Sequence, residues 1–269
     1  MTKTILLTGA TDGIGFETAK SLISLDHTLL IHGRNPQKLD DVALQLHGIN
    51  PKANVRKYVG DLSSIVATNE LATNIVAHEK HIDVVINNAG IYSTREWQTV
   101  DKLDVRFAVN TLAPYLLTKK LLPLMPSDGR VVNLSSAAQA TIELDAISGH
   151  RELSDGAAYA QSKLAITMWS MQMAKELGDK GPSIIAVNPK SFLGSKMVKE
   201  AYGVAGGNLS VGADILCRAA LSDEFNDASG KYFDNDIGQF AKPHQDALNE
   251  HLVTLVVDKI EQIIAEIID

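Results

Sequence analysis

The stretch Thr8-Gly9-Ala10-Thr11-Asp12-Gly13-Ile14-Gly15 constrains this chain more than any other, because it joins a short apolar run beginning at Thr4 to a segment of helical period beginning at Ile14. A glycine-rich turn at the end of a first strand lets the backbone come close to a phosphate. The first N–H groups of the next helix, with its dipole, then receive the negative charge. The expected division of labour is Gly9 for the turn, Gly13 for close approach and Gly15 for packing of helix on strand, with Thr11, Asp12 and Ile14 completing the cradle. Glycines also serve plain tight connections, so it is the strand-to-helix position that favours phosphate binding.

Beyond this turn, β-branched runs alternate with longer helical periods, the pattern of a parallel sheet covered on both faces. The spacing predicts strands over 4–8, 28–32, 54–59, 83–87, 130–134, 183–187 and, more weakly patterned, 231–233. It predicts helices over 14–25, 36–47, 64–79, 102–124 and 158–177. The whole of 1–269 reads as one doubly wound α/β domain with a seven-stranded, mainly parallel sheet, since no Pro/Gly/Ser-rich linker or repeat interrupts it. Two segments break the alternation. Residues 138–157 form an insertion with no sustained period, and 190–210, with Gly203, Gly206 and Gly207, read as a flap beside the site or as an ordinary surface loop. At the end, Leu248, Leu252, Val256, Ile260, Ile263 and Ile267 recur at steps of three and four, an amphipathic helix that packs on its own domain or on a second subunit.

Composition narrows the function class. A net charge of −7 argues against a general nucleic-acid or anionic-membrane binder, which needs surplus Lys and Arg on one face. The single cysteine, Cys217, excludes an intrachain disulfide and a thiolate metal cage, and flanked by Leu216 it reads as core packing. The eight histidines form no ligand-spaced cluster, so no metal is expected. No signal-peptide core precedes the first glycine, and the most apolar late stretch, 252–268, is broken by Asp258, Lys259, Glu261 and Glu266. A soluble, cytoplasmic protein is the expectation.

The glycine spacing is G-x-x-x-G-x-G, and four further segments fall in a matching order: Asp61-Leu62, Asn87-Asn88-Ala89-Gly90, Asn110, and Ser136 with Tyr159-Ala160-Gln161-Ser162-Lys163. In this order the chain resembles the short-chain dehydrogenase/reductase family, over about 4–189, and its long Ser136-to-Tyr159 interval resembles the retinol-dehydrogenase-like branch. The resemblance implies a Rossmann domain and an oxidoreductase that moves a hydride between a nicotinamide and a carbonyl or alcohol. It implies that Asp61 and Leu62 hold the adenine, that Asn88, Ala89 and Gly90 form the turn that supports the sheet and lines the adenine-ribose path, and that Pro189 lines the nicotinamide pocket. Read without the family, Asp61 is a helix N-terminal carboxylate and Asn87-Asn88 a strand-ending turn.

Cofactor choice is expected at the end of the second strand, where an acid would hold the 2′-hydroxyl of NAD. The chain has Ile31-His32-Gly33-Arg34-Asn35 instead. Arg34, with Asn35 beside it, can pair with a 2′-phosphate, so NADP(H) is expected over NAD(H). Tyr159 and Lys163, four apart, share one helix face. Lowering a phenol from about 10 toward 7 takes about 4 kcal/mol in favour of the phenolate, and a nearby ammonium pushes that way. The resemblance makes Tyr159 the proton-transferring group, Ser136 a stabilising donor, Lys163 the holder of the nicotinamide ribose and Asn110 the anchor of a water next to Lys163.

Departures are as informative. Lys190 stands where the family commonly has glycine, so a positive φ there would be costly, and whether Ser195 replaces the family's threonine is left open. Tyr92, Trp97, Ile142, Leu144 and Phe192 are candidates for an apolar pocket or for plain packing. The expected partner is a small carbonyl or alcohol, with a homodimer or homotetramer common in the family. The rival readings are a catalytically idle NADP-binding sensor or interaction protein of the same fold, and an epimerase or dehydratase of the extended branch, for which the chain is short.

Overall fold

The computed structural model describes residues 2–268. Apolar runs form the sheet: β1 Thr4–Leu7, β2 Thr28–Gly33, β3 Val55–Val59, β4 Val84–Asn87, β5 Arg130–Leu134, β6 Ser183–Asn188, β7 Tyr232–Asp234 and β8 Gln239–Ala241. The central strands read as continuous apolar text because both their faces are covered. Ile5, Leu6 and Leu7 are buried side by side, as are Leu29, Leu30 and Ile31. At one edge, β3 buries Tyr58 while Arg56 and Lys57 face solvent, a charged edge that discourages further pairing.

Strand order is β3-β2-β1-β4-β5-β6-β7-β8, parallel throughout except for the β7–β8 pair. The chain winds outward one way from β1 to β3, then returns to place β4 on the other side of β1. The register Ile5↔Val84 and Leu6↔Val85 makes β1 and β4 direct neighbours. At such a reversal the flanking connections diverge and leave a crevice at the carboxyl ends of the strands.

The helices are α1 Gly13–Ile23, α2 Pro36–Ile49, α3 Ile65–His78, α4 Val105–Phe107, α5 Ala113–Leu121, α6 Leu144–Ile147, α7 Asp155–Leu177, α8 Lys196–Tyr202, α9 Leu209–Leu221 and α10 Glu250–Ile268. Each strand sends alternate side chains to opposite faces. Leu6, Leu30, Val85 and Val131 meet α3, α5, α7 and α10, while Ile5, Leu7, Leu29 and Ile31 meet α1, α2 and α9. Local chemistry sets the helix starts. Asn35 caps α2 ahead of Pro36, Ser64 caps α3, and Ser154 caps α7.

Several expectations are corrected. The sheet has eight strands, not seven, because β8 turns back at Ile237-Gly238 and covers the edge of β7; three residues are too few for a periodic signal. Helix α9 was not foreseen, and α7 begins at Asp155, three residues before the expected start. The expected helix over 102–124 is interrupted. Its start, 102–104, is a bend that ends in an antiparallel bridge from Asp104 to Gln98, and Ala108–Leu112 is one π turn in which Ala113 N–H reaches back to Ala108 O. The insertion carries α6, and the 190–210 segment carries α8. In α10, Val256, Ile260 and Ile263 are buried on the chain's own core, whereas Leu248 lies before the helix and is exposed. Cys217 packs against the α1/α9 core, and burial pushes its thiol up to about 12.

Candidate active site

The crevice opens on the glycine turn. Gly9 and Gly13 take positive φ, 67° and 55°, a region costly for any residue with a Cβ. A Cβ at Gly9 would lie 2.8 Å from Ala89 Cα, and one at Gly15 would overlap the Gly9 carbonyl. The turn is therefore pressed against both the β4 end and its own helix. Asp12 caps α1, accepting from Gly13 N at 2.7 Å, and Ile14 packs half-buried against the core below. Thr11 rests its methyl on Gly33, which draws the turn toward the end of β2.

A hydrogen-bond splice joins the ends of β1 and β4. Thr8 Oγ1 accepts from Asn88 N at 3.0 Å and Ala89 N at 3.1 Å, while Asn88 Nδ2 donates to Thr8 O and Gly9 O at 2.9 and 3.1 Å. Asn88 and Ala89 thus make the contacts of a turn that supports the sheet, the structural half of what the resemblance implies for them. Two participants were missed in the sequence, Thr8 and His32. The buried His32 ring accepts from Gly9 N at Nδ1, 3.4 Å, and its Nε2 faces Gly60 O at 3.1 Å. Those partners require a neutral ring protonated at Nε2, and burial holds its pKa down at about 4. A histidine in a strand carries no periodic signal that marks such a role.

At the adenine end, Arg34 is exposed and Asn35 is occupied as a helix cap, accepting from Lys38 N at 3.0 Å. Leu62 is buried in the core. Asp61 turns one oxygen into its own loop, accepting from Ser63 N and Oγ at 3.0 and 2.8 Å. These contacts make Asp61 the head of a turn ahead of α3, whose cap is Ser64, rather than a carboxylate on the helix N-terminus itself.

At the other end of the crevice Gly90, Asn110, Tyr159 and Lys163 converge. Asn110 sits in the π turn with its side chain directed at Ile91 and Ser162. Its Oδ1 accepts from Ile91 N at 2.9 Å, and its Nδ2 donates to Ile91 O and Ser162 Oγ, both at 3.0 Å. Lys163 is 4% exposed and its Nζ donates to Leu134 O at 2.7 Å. Desolvation alone lowers its pKa to about 7, and no carboxylate pairs with it among the described residues. Its ammonium lies 5.6 Å from the Tyr159 ring centre, and the Tyr92 ring packs on Tyr159 at 4.9 Å. A Cβ on Gly90 would stand 3.4 Å from Asn110 Oδ1 and 3.7 Å from Lys163 Nζ.

Ser135 and Ser136 divide their duties. Ser135 is buried and bonded to Lys163 O and Thr167 Oγ1, fastening β5 to α7, whereas Ser136 is half-buried and its Oγ accepts from Ala138 N at 3.1 Å. Of the five apolar candidates, Tyr92 meets Tyr159, Ile142 and Leu144 pack on the core, Trp97 accepts at its carbonyl from Val105 N, and Phe192 is exposed.

The loop after β6 does take the costly path. Lys190 has φ 120° and Phe192 φ 52°. Asp236 compensates: it accepts from Ser191 N at 2.9 Å, Ser191 Oγ at 2.6 Å and Asn188 Nδ2 at 2.9 Å, while Asn235 Nδ2 holds Pro189 O at 3.0 Å. Burial works against the Asp236 carboxylate, but those donors hold its pKa below the usual range. Ser195 caps α8, accepting from Val198 N, and its Cβ would touch a Cβ placed on Gly13.

Two outcomes follow from this geometry. Lys190→Gly removes a backbone strain of about 1–3 kcal/mol, less about 0.4–1 kcal/mol of added unfolded-chain entropy, so it should raise the melting temperature by a few degrees; a fall would refute the strain. For Lys163, the folded chain has released a proton that the unfolded chain keeps from about pH 7 to about 10.4, so this group's cost is full below pH 7 and fades as pH rises. Ligand-free Lys163→Met should exceed wild type in urea midpoint at pH 7, with the gap narrowing toward pH 10. A pH-independent gap would contradict the buried-charge account.

Comparison with known proteins covers the same segments. A family model described as short chain dehydrogenase matches residues 3–203. The chain is 30% identical over 253 residues to retinol dehydrogenase 13 of Homo sapiens, spanning 86% of this chain and 76% of that protein. It is 31% identical over 253 residues to short-chain dehydrogenase TIC 32 A, chloroplastic, of Brassica napus, spanning 86% and 79%. An uncharacterised protein from Mycobacterium paratuberculosis shares the fold, with a TM-score of 0.80 at 24% identity over 98% of this chain and 93% of that one. No helix among the described residues is long and apolar enough to cross a membrane. Since the match runs from β1 beyond the strained Lys190 loop, the chain belongs to the short-chain dehydrogenase family, in the branch of the retinol dehydrogenases, and is an oxidoreductase acting on CH–OH groups with a nicotinamide cofactor.

Proposed function

We propose that this chain interconverts lipophilic aldehydes or ketones and their alcohols with NADP(H), Tyr159 transferring the proton. The observation that carries the reading is Lys163, an ammonium buried without a carboxylate partner among the described residues, beneath the Tyr159 ring and beside Asn110 and Gly90. A buried unpaired lysine is costly, and such cost persists where a neighbour's chemistry uses it. The residues also fit the cofactor. A Cβ at Gly9 or Gly15 would strike the chain's own backbone, so these glycines let the turn close tightly, while a Cβ at Gly13 meets only Ser195 Cβ at 3.8 Å, which leaves that side of the turn open to a phosphate. In this proposal Thr11, Asp12 and Ile14 complete the turn, and Pro189 joins Gly90 at the nicotinamide end. When bound, the nicotinamide supplies or accepts the hydride at the carbonyl carbon.

The chain's own groups handle the oxygen. Tyr159 gives its phenolic proton to the substrate oxygen in reduction and takes it back in oxidation. Ser136 Oγ, already accepting from Ala138 N, has its own proton to direct at the same oxygen. Lys163, with a pKa near 7, can hold or release a proton at neutral pH, and Asn110 keeps the neighbouring backbone of Ile91 in place.

NADP(H) is favoured by Arg34, exposed at the end of β2 where the chain offers no acid. Asn35, Asp61, Leu62, Asn88 and Ala89 complete the adenosine side in this proposal. A lipophilic substrate is favoured by the names of the retinol dehydrogenase relatives and by apolar rings at Tyr92 and Phe192.

Reduction should be followed by NADPH absorbance over retinal, shorter aldehydes and ketones. Tyr159→Phe should lose about 10²–10⁴ in turnover while its NADPH affinity stays within threefold. If wild type binds NADPH tightly but turns over nothing in the panel, an idle cofactor binder replaces this reading. Arg34→Ala should weaken NADPH binding by about 10–100-fold, equivalent to a charge-assisted contact of 1.5–3 kcal/mol, and leave NADH within twofold. Equal losses for both cofactors would remove the argument for NADP(H).

A further inference from the structure

Gln161 stands two residues beyond Tyr159 on α7, about 200° around the helix, so it points away from the stripe shared by Tyr159 and Lys163. It is only 4% exposed. Its amide makes a reciprocal pair with one residue of the insertion: Gln161 Oε1 accepts from Glu143 N at 2.9 Å, and Gln161 Nε2 donates to Glu143 Oε1 at 3.1 Å. The other Glu143 oxygen pairs with Arg151, near the far end of the same insertion.

This pairing dictates the path of the chain. Ser136 lies at the end of β5, which Ser135 and Leu134 bind to the Lys163 turn of α7. By Glu143 the backbone has reached the other side of that helix. Residues 137–142 must therefore cross beside the Tyr159 turn. Gln139 pins the middle of the crossing, donating from Nε2 to Ser136 O at 2.9 Å and accepting at Oε1 from His244 N at 3.0 Å. Ile142 anchors its end on the core. Between these anchors the side chains are small: Ala137, Ala138, Ala140 and Thr141, with Ala137, Ala138 and Thr141 exposed.

We propose that residues 137–142 form a fixed strap along one wall of the substrate cleft, and that Gln161, through Glu143, is the positioning residue that sets the strap's distance from Tyr159 and so the bulk of substrate accepted. The selection by bulk rests on the reductase reading above; the latch itself does not. Small strap residues leave width beside Tyr159 and Ser136, which suits a bulky apolar carbonyl. Removing Glu143 leaves the buried Gln161 amide unpaired, and removing Gln161 frees the Glu143 N–H and its part-exposed carboxylate to meet water, so in either case the strap should loosen rather than repack.

Amide hydrogen exchange of the 137–147 segment and steady-state kinetics over a ladder of straight-chain aldehydes test this in the intact 269-residue chain. With Gln161→Leu, exchange of 137–147 should speed by about tenfold or more, since a local opening becomes easier. KM should rise about tenfold for the longest aldehydes and under twofold for the shortest, with kcat within threefold and NADPH affinity unchanged. If Gln161→Leu does not fold, Gln161→Glu serves, because it sets two carboxylates against each other. The swap Gln161→Glu with Glu143→Gln should restore both exchange protection and the KM ladder. Unchanged exchange in the single variants, no rescue by the swap, or a KM change equal across the ladder would each overturn the proposal. If wild type reduces no aldehyde, the reductase reading fails by itself, and exchange with its rescue still decides the latch.

Discussion

The splice between β1 and β4 is the interaction on which the rest of the molecule hangs. Two parallel strands that diverge beyond their ends expose N–H and C=O groups with no ladder partner, and a crevice is left between the connections. Thr8 and Asn88 meet those groups with one hydroxyl and one amide, and the Gly9 turn can close over them only because it has no Cβ to strike Ala89. His32 adds a third tie from β2 to the same turn and on to Gly60. The cradle is thereby tied to the ends of three strands rather than left as a free loop.

Buried polarity then registers the helices against that sheet. Ser135 and Lys163 lock β5 to α7, and Asn133 bonds Ser170 one helical stretch further on. Arg106, 1% exposed, bridges the buried Asp104 at 2.6 Å and Asp155 in the first turn of α7 at 2.5 Å. Such pairs contribute little net stability relative to apolar packing, but a one-turn slip of either element would strand a charge in the core. The π turn carrying Asn110 follows one turn after Arg106, so the same ion cluster that places the Tyr159 helix also places the asparagine facing it.

The site is most legible in the sequence where chemistry and order coincide. Tyr159 and Lys163 share a helix face by spacing alone, and the glycines of 9–15 specify a turn that a side chain would block. The Lys190 loop shows the intermediate case. Its identity announced a conflict with positive φ, and the conflict is real, but the resolution lies in Asp236, forty-six residues later. The 138–157 insertion had no legible period because its order comes from elsewhere: Gln161, His244 and Arg106 each belong to another element.

By itself the sequence determined the alternation of buried strands and amphipathic helices, the glycine turn at the first junction and the helix face of Tyr159 and Lys163, because periodicity and backbone sterics act over a few residues. Only the tertiary structure decided the eighth strand, the break at Asn110, the neutral state of His32 and the buried state of Lys163. Those depend on partners far along the chain, and desolvation is a property of everything packed around a group, which no local pattern records.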